Sequence, residues 1–502
     1  MTAASLRFNA RPNRRLVVGV AGIVLAAAVG GAVVVGPIGV AVAGVALGAA
    51  GLALAGPRIP VVFHVVLAVI LIGYLFLGKG FAYIGTGTAY VGEFALALAV
   101  VVTIGSLGRW RIGVTEAVLL AFMAWGAVRT VPYLGQYGLV ALRDAVSWAY
   151  ALVALGVATT LTVEPIKGAV RLYRRLALPA VIWFPIAAVL TIVLGNSIPA
   201  VPGSSVPIVF FKAGDSGVHL AAIAAFVLVG LYGRGPLCEV LLWAAWGASA
   251  GITAALNRGG MVAASTAVLA LLFVRRLNHW LVLVAVAVVL LVGAWLVDPR
   301  VDLGVQRTVS FQQLIDNVTS IIGDRPNTTE QATKEWRLEW WGAITDYTVN
   351  GPYFWTGKGY GINLADADGF QTNADRSLRG PHSAHFEFLA RSGIPGLVLW
   401  VALQASWAAT MLMAAARARR SGRTWWLAVT AWLFVYWLAA LVNMSVDVYL
   451  AGPQGGIWFW AVFGAGLAVA RFIRDGEADP TVRNDDAPLL HSPGVLQPGG
   501  SR

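Results

Sequence analysis

The chain has one cysteine, Cys238, among 502 residues, which rules out an intramolecular disulfide and gives no sign of redox chemistry. Charge is also scarce. Asp, Glu, Lys and Arg make up 12% of the residues against 58% that are hydrophobic, too few to solvate a water-soluble globule of this size. No internal repeat of convincing period is visible, so the inverted repeats common in transporters find no support.

Long apolar runs are abundant. At about 20 residues per crossing of a ~30 Å hydrocarbon core, the sequence predicts an all-α polytopic membrane protein of about fourteen spans. They fall near 16–35, 38–55, 60–78, 90–107, 113–131, 141–161, 177–195, 216–232, 236–255, 259–274, 279–297, 393–415, 424–446 and 455–473. The first run follows a basic start, as a signal peptide would, but continues for a full span without a convincing cleavage site and reads as a retained helix.

The net charge of +12 would suggest nucleic acid in a soluble protein, but its distribution gives another reason. Basic clusters precede the first span and recur in alternate connections: Arg109 with Arg111, Lys167 with Arg171, Arg174 and Arg175, Arg275 with Arg276, Arg417 to Arg423, and Arg471 with Arg474. The positive-inside rule makes those connections cytoplasmic. The basic amino terminus (1–15) and the carboxyl end then lie inside, and the segment 298–392, between the eleventh and twelfth spans, lies outside. No nucleic-acid partner is implied.

The segment 298–392 reads as a helical cap separating transmembrane blocks 16–297 and 393–474. Ser310 with Gln313 forms a capping box ahead of a helix stopped by Gly323, and Thr328 with Gln331 opens a second. Trp336, Trp340, Ile344 and Tyr347 line one face of that second helix, which rests on the membrane interface or bundle or forms a plain core face. Residues 475–502 read as a disordered cytoplasmic tail.

His382 and His385 stand where the cap returns to the membrane. A neutral imidazole near physiological pH can accept a proton from a hydroxyl, and the three-residue spacing leaves both as candidates for a general base. Glu387 is a further candidate, as orienter or base. Arg129, Arg143 and Arg258, with Lys79, fall on the outer side, where cations should be few; an Arg at membrane depth costs at least ~2.5–3.5 kcal/mol and normally faces a polar cavity or partner. A diphosphate suits a guanidinium fork, although Asp144 beside Arg143 offers a simple ion pair. Asp447 is an intramembrane carboxylate with no evident partner. Asp366-Ala367-Asp368 reads as a solvated turn, since the later ligands of a calcium loop are missing. Gly357, Gly359 and Gly361 read as a tight turn packing cap on bundle, because no strand precedes them and they lie away from cytosolic nucleotide.

The segment 382–396 resembles the signature of the bacterial O-antigen ligase and polymerase superfamily: His382, Ser383, nine residues, then Gly393 and Gly396. Asn257-Arg258-Gly259-Gly260 is similar to its Ser-Arg-Gly-Gly element, with glycines that would admit a backbone close to phosphate. Arg337, Trp341 and the glycine turn resemble its third feature. The resemblance implies a metal-independent, cofactor-free membrane glycosyltransferase in the cytoplasmic membrane, working on its outer side. The donor would be a polyprenyl diphosphate-linked glycan, and the acceptor a glycan, lipid or protein. It assigns His382 as base with His385 as alternative, and Arg258, Arg143, Arg129 and Arg337 to the diphosphate. A flippase of polyprenyl-linked glycans is the alternative, since its cavity would also need arginines.

Overall fold

The computed structural model describes residues 59–86, 89–109, 111–195, 197–273, 301–302, 308–309 and 329–480. The expected spans at 16–35, 38–55 and 279–297, and the expected helix from Ser310 to Gly323, lie outside the described residues.

Described residues are overwhelmingly helical. In chain order the helices are α1 (Ile59–Leu77), α2 (Lys79–Ala82), α3 (Val91–Ser106), α4 (Val114–Tyr137), α5 (Leu139–Ala149), α6 (Ala151–Thr160), α7 (Val163–Val193) and α8 (Ala213–Leu228). There follow α9 (Pro236–Leu256), α10 (Arg258–Ser265), α11 (Thr329–Thr348), α12 (Leu364–Asp368), α13 (Ala384–Arg420), α14 (Thr424–Met444) and α15 (Pro453–Arg474). Two antiparallel pairs of two-residue strands, β1 (Gly85–Thr86) with β2 (Ala89–Tyr90) and β3 (Val301–Asp302) with β4 (Thr308–Val309), are the β structure among these residues.

Seven helices, α1, α4, α7, α9, α13, α14 and α15, are long and apolar enough to cross a membrane, and α5 with α6, bent by 44°, makes an eighth if taken as one span. The expected spans near 90–107, 216–232 and 259–274 are helical but short. α3 and α8 have 16 residues each, about 24 Å at 1.5 Å per residue, and α10 tightens after Ser265 into a 3-10 helix over Thr266–Leu272.

α8 is buried along nearly its whole length, between α10 and α14. Small residues allow this: a Cβ at Gly217 would stand 2.2 Å from the Gly260 carbonyl oxygen, so α8 and α10 cross backbone to backbone. Apolar residues also face outward, as lipid contact requires; Val61, Val65 and Val69 are exposed along one stripe of α1.

α13 is broken at Gly393, whose φ of 68° is left-handed. The glycine turn fills the break. Gly357, Gly359 and Gly361 all have positive φ, and the N–H groups of Lys358 and Gly359 donate to the carbonyls of Ala390 and Arg391 (2.7 and 3.0 Å). Orphan carbonyls at the end of the first helical segment are thereby satisfied. The side chain of Tyr133 leaves no room for a Cβ at Gly359, and that of Tyr137 none at Gly361, so the turn docks on α4. Gly396 leaves room for Ser392, whose carbonyl accepts from Trp125 Nε1 at 2.9 Å.

A buried ion cluster locks this junction. Asp144 on α5 receives Arg379 in two-point geometry (3.1 and 2.9 Å), Arg391 at 3.1 Å and the Gly361 N–H at 3.1 Å. Arg391, 1% exposed, also pairs with Glu387 at 3.1 Å. Asp144 therefore pairs with two distant arginines and not with its neighbour Arg143, and Glu387 serves Arg391 and neither histidine.

One alternative left open by the sequence closes, and one reading changes. Trp340 and Ile344 are core residues, packed with Leu364, Leu389 and Ala390, so that aromatic face is a plain core face. Residues 364–368 form α12, capped by Gly369 in the left-handed region. Asp368 is buried there, taken up by Lys358, Trp340 and Tyr347, because the neighbouring aromatics carry N–H and O–H groups that need an acceptor. Residues 475–480 of the expected tail lie among the described residues, and Asp479 accepts from the N–H of Trp425 and of Trp426 at the start of α14 (3.1 and 3.3 Å).

Replacing Arg391 with Met should destabilise the protein by about 3–5 kcal/mol, because Asp144 and Glu387 lose a shared buried partner. Lys167→Met, which removes an exposed pair with Glu164, should change stability by less than about 1 kcal/mol. Thermal unfolding in detergent checks the contrast; equal melting temperatures for the two variants would contradict it.

Candidate functional site

The ends of α8, α10 and α14 converge with α11 and the entry to α13. Lys212 stands at the amino end of α8 and Asp447 just beyond α14; their side chains lie 3.4 Å apart. Asp447, without a partner in the sequence, thus finds one 235 positions away. Burial works against the charge on Lys212, but Asp447 and Asp215 outweigh it and its pKa is raised.

Asn257 and Arg258 begin α10. The Asn257 side chain accepts from the Gly260 N–H at 2.7 Å, an N-cap that serine also makes well, which accounts for the tolerance of Asn at this place. Gly259 and Gly260 are packed closely against neighbouring protein. A Cβ at Gly260 would stand 2.7 Å from the Ala213 carbonyl oxygen, and one at Gly259 2.7 Å from Val446. Their missing side chains make room for neighbouring protein, and Arg258, at the helix start, lies within electrostatic reach of Arg337.

α11 contributes twice. Arg337 lies within electrostatic reach of Arg258 and Asp447, and its pKa is lowered by burial first and by Arg258 as well. Its Nε has no hydrogen-bond partner among the described residues. One turn further on, Trp341 donates from Nε1 to the Pro381 carbonyl at 2.8 Å and stacks on Phe386. Residues four apart share a helix face, so one face of α11 presents a cation and pins the residue before His382.

His382 has φ 54°. For a non-glycine residue this costs of order 1–3 kcal/mol and persists where surroundings enforce it; here Trp341 holds Pro381, and Ser383 is 1% exposed at the start of α13. Ser383 makes no capping bond and contributes smallness. Trp336 meets the imidazole edge to face, with centroids 6.2 Å apart. Burial first, then Arg337, push the pKa of His382 down to about 4, with Asp447 opposing. The ring is neutral at pH 7, and neither nitrogen is hydrogen-bonded among the described residues.

His385 is differently placed. Trp400 Nε1 donates to its Nδ1 at 2.9 Å, and an indole N–H only donates, so Nδ1 spends its lone pair and Nε2 carries the hydrogen. That hydrogen reaches Ser445 Oγ at 2.9 Å, and Ser445 donates to the Leu441 carbonyl. His385 links α13 to α14, leaving His382 as the histidine with a lone pair to offer.

Residues 243–401 match the family model described as O-antigen ligase. That stretch is similar to the O-antigen ligase family. The match agrees with the resemblance of the chain's motifs to the O-antigen ligase and polymerase superfamily, and supports a membrane glycosyltransferase of that general type. No curated protein matches the chain.

The matched segment includes Arg258, Arg337 and His382; Lys212 and Asp447 lie outside it. Lys79 adjoins the cluster, with Lys212 and Arg143 in electrostatic reach. Arg143 is exposed. Arg129 is committed elsewhere, donating from Nε to the Thr356 carbonyl at 2.6 Å and lying against Tyr133. It clamps the segment leading into the glycine turn. Sequence reading missed Lys212, Arg379 and Arg391 as contributors; only the unpartnered Asp447 signalled that a cation was wanting.

Replacement of His382 with Gly should leave the melting temperature unchanged or raised, since glycine removes the left-handed strain. His385→Ala should cost about 1–3 kcal/mol by orphaning Trp400 Nε1 and Ser445. Thermal unfolding of the two variants measures this, and a larger loss for His382→Gly would reverse the two roles.

Proposed function

We propose that the protein transfers a glycan from a polyprenyl diphosphate carrier to an acceptor hydroxyl on the outer side of the bacterial cytoplasmic membrane. One observation carries this reading: a neutral imidazole without a hydrogen-bond partner among the described residues, His382, lies within electrostatic reach of Lys212 and Arg337, and Arg337 within reach of Arg258, with His382, Arg258 and Arg337 all in the segment that matches the O-antigen ligase family. The distribution of basic residues along the chain supports the outward orientation.

In this mechanism His382 accepts the proton of the acceptor hydroxyl as its oxygen attacks the anomeric carbon. The bond from that carbon to the diphosphate oxygen breaks, and its electron pair leaves on polyprenyl diphosphate. Arg258, Arg337 and Lys212 oppose the charge growing there, where preorganised cations act most strongly. Arg143 and Lys79, at the edge, extend the positive field toward the incoming lipid. A single displacement inverts the anomeric carbon. Fixed guanidinium and ammonium groups supply the charge stabilisation that metals supply in other transferases, and we propose that transfer persists in EDTA. Glu387, held by Arg391, has no part in the proton transfer.

Purified protein in nanodiscs, given a polyprenyl diphosphate oligosaccharide and candidate acceptors, should release polyprenyl diphosphate as glycan is transferred. His382→Ala and Arg258→Ala should each reduce the rate at least about a hundredfold. Movement of the lipid across the bilayer without transfer, indifferent to His382, would replace this reading with a flippase.

The pH dependence follows from the depressed pKa. An imidazolium cannot accept a proton, so the rate falls as pH drops through the pKa of His382, and the acidic limb should lie near pH 4 in place of 6.5. Arg337→Gln removes a cation that holds this value down, so the limb of its residual activity should move to higher pH. A limb unmoved in that variant would exclude His382 as the titrating base.

A further inference from the structure

A cationic cavity lies far from His382. From Gly393 to the carboxyl-terminal turn of α13 at Arg417 is 24 residues of helix, about 36 Å, enough to reach the other face of a bilayer. There α4, α13 and α15 enclose a cavity of about 450 Å³.

Its lining includes four arginines, Arg111, Arg417, Arg471 and Arg474, against two carboxylates, Glu116 and Asp475, a formal balance of 4 − 2 = +2. Glu116 caps its own helix by accepting the Gly113 N–H at 3.1 Å, and Asp475 lies 3.6 Å from Arg474. Arg471 is held in place: its two terminal nitrogens donate to the carbonyls of Ala158 and Leu161 at the end of α6 (2.7 and 3.0 Å). Thr115 and Thr410 add hydroxyls, bonded to each other at 3.0 Å. Beside this polar wall the lining is apolar and open to the outside of the bundle, with Val114 77% and Met413 53% exposed.

A guanidinium cluster against exposed apolar helix suits a ligand with an anionic phosphate head and hydrocarbon tails. We propose that this cavity binds the headgroup of an anionic phospholipid from the leaflet opposite His382, with its acyl chains along α4 and α13. The site is independent of the transfer reaction and holds whatever the donor glycan is. It ties the ends of three helices that no side-chain salt bridge joins among the described residues.

The test uses the full chain, delipidated in detergent, with phosphatidylglycerol, phosphatidylcholine or inorganic phosphate added, followed by native mass spectrometry and thermal unfolding. Phosphatidylglycerol should remain bound and raise the melting temperature, while phosphatidylcholine does neither. The double variant Arg111→Gln, Arg417→Gln, whose side chains are exposed and form no ion pair among the described residues, should melt like wild type without lipid and bind phosphatidylglycerol about tenfold or more weakly. Equal binding of the two lipids, or undiminished binding by the variant, would overturn the proposal. Stabilisation by inorganic phosphate equal to that by phosphatidylglycerol would also overturn it, in favour of a small-anion site. If the double variant does not fold, Arg474→Gln alone, at an exposed position, carries the same comparison.

Discussion

Asp144, buried between Arg379 and Arg391, is the constraint on which the arrangement of the site depends. Burying one carboxylate and two guanidinium groups is costly in itself, and such clusters are weak evidence for stability. Their geometric consequence is larger. Asp144 belongs to α5, Arg379 to the segment before His382, Arg391 to the first part of α13, and the Gly361 N–H to the glycine turn. One carboxylate therefore ties the bundle to both sides of the histidine. With Trp341 fixing Pro381, the backbone at His382 has little freedom, and its left-handed conformation becomes affordable.

The break in α13 follows the same logic. A helix ending inside a protein leaves carbonyls that must be satisfied, and here the donors come from a loop some thirty residues earlier. Only a turn with three left-handed glycines can approach the α13 backbone and α4 together. The glycines of the two motifs therefore differ in kind from the charged residues beside them: they permit close contact with neighbouring protein, while Arg337 lies within electrostatic reach of both Arg258 and His382. Asp447 moderates the field there by holding Lys212, yet cations still outnumber carboxylates around His382.

Much of this was legible in the sequence, because hydrophobic length, charge asymmetry and motif spacing are local quantities. The helices from Ile59 onward, the helix of Trp336 and Trp340 and the docking role of the glycine turn follow from such signals. Span length was less legible: α3 and α8 are too short to cross by themselves, since their apolar runs end at turns that composition does not register. Partners across the chain were illegible. Nothing near Asp144 distinguishes Arg143 from Arg379 and Arg391, and nothing near Asp447 points to Lys212.

The sequence alone determined that the chain is an apolar helical protein with an imidazole and several arginines in a recognisable order, because periodicity and residue chemistry are carried by neighbours. Tertiary structure decided which imidazole keeps a lone pair. His382 and His385 are chemically identical and three residues apart, and they differ only because Trp400 and Ser445 close on one ring while Trp336 and Arg337 crowd the other without bonding to it. That difference arises from contacts between helices distant in sequence.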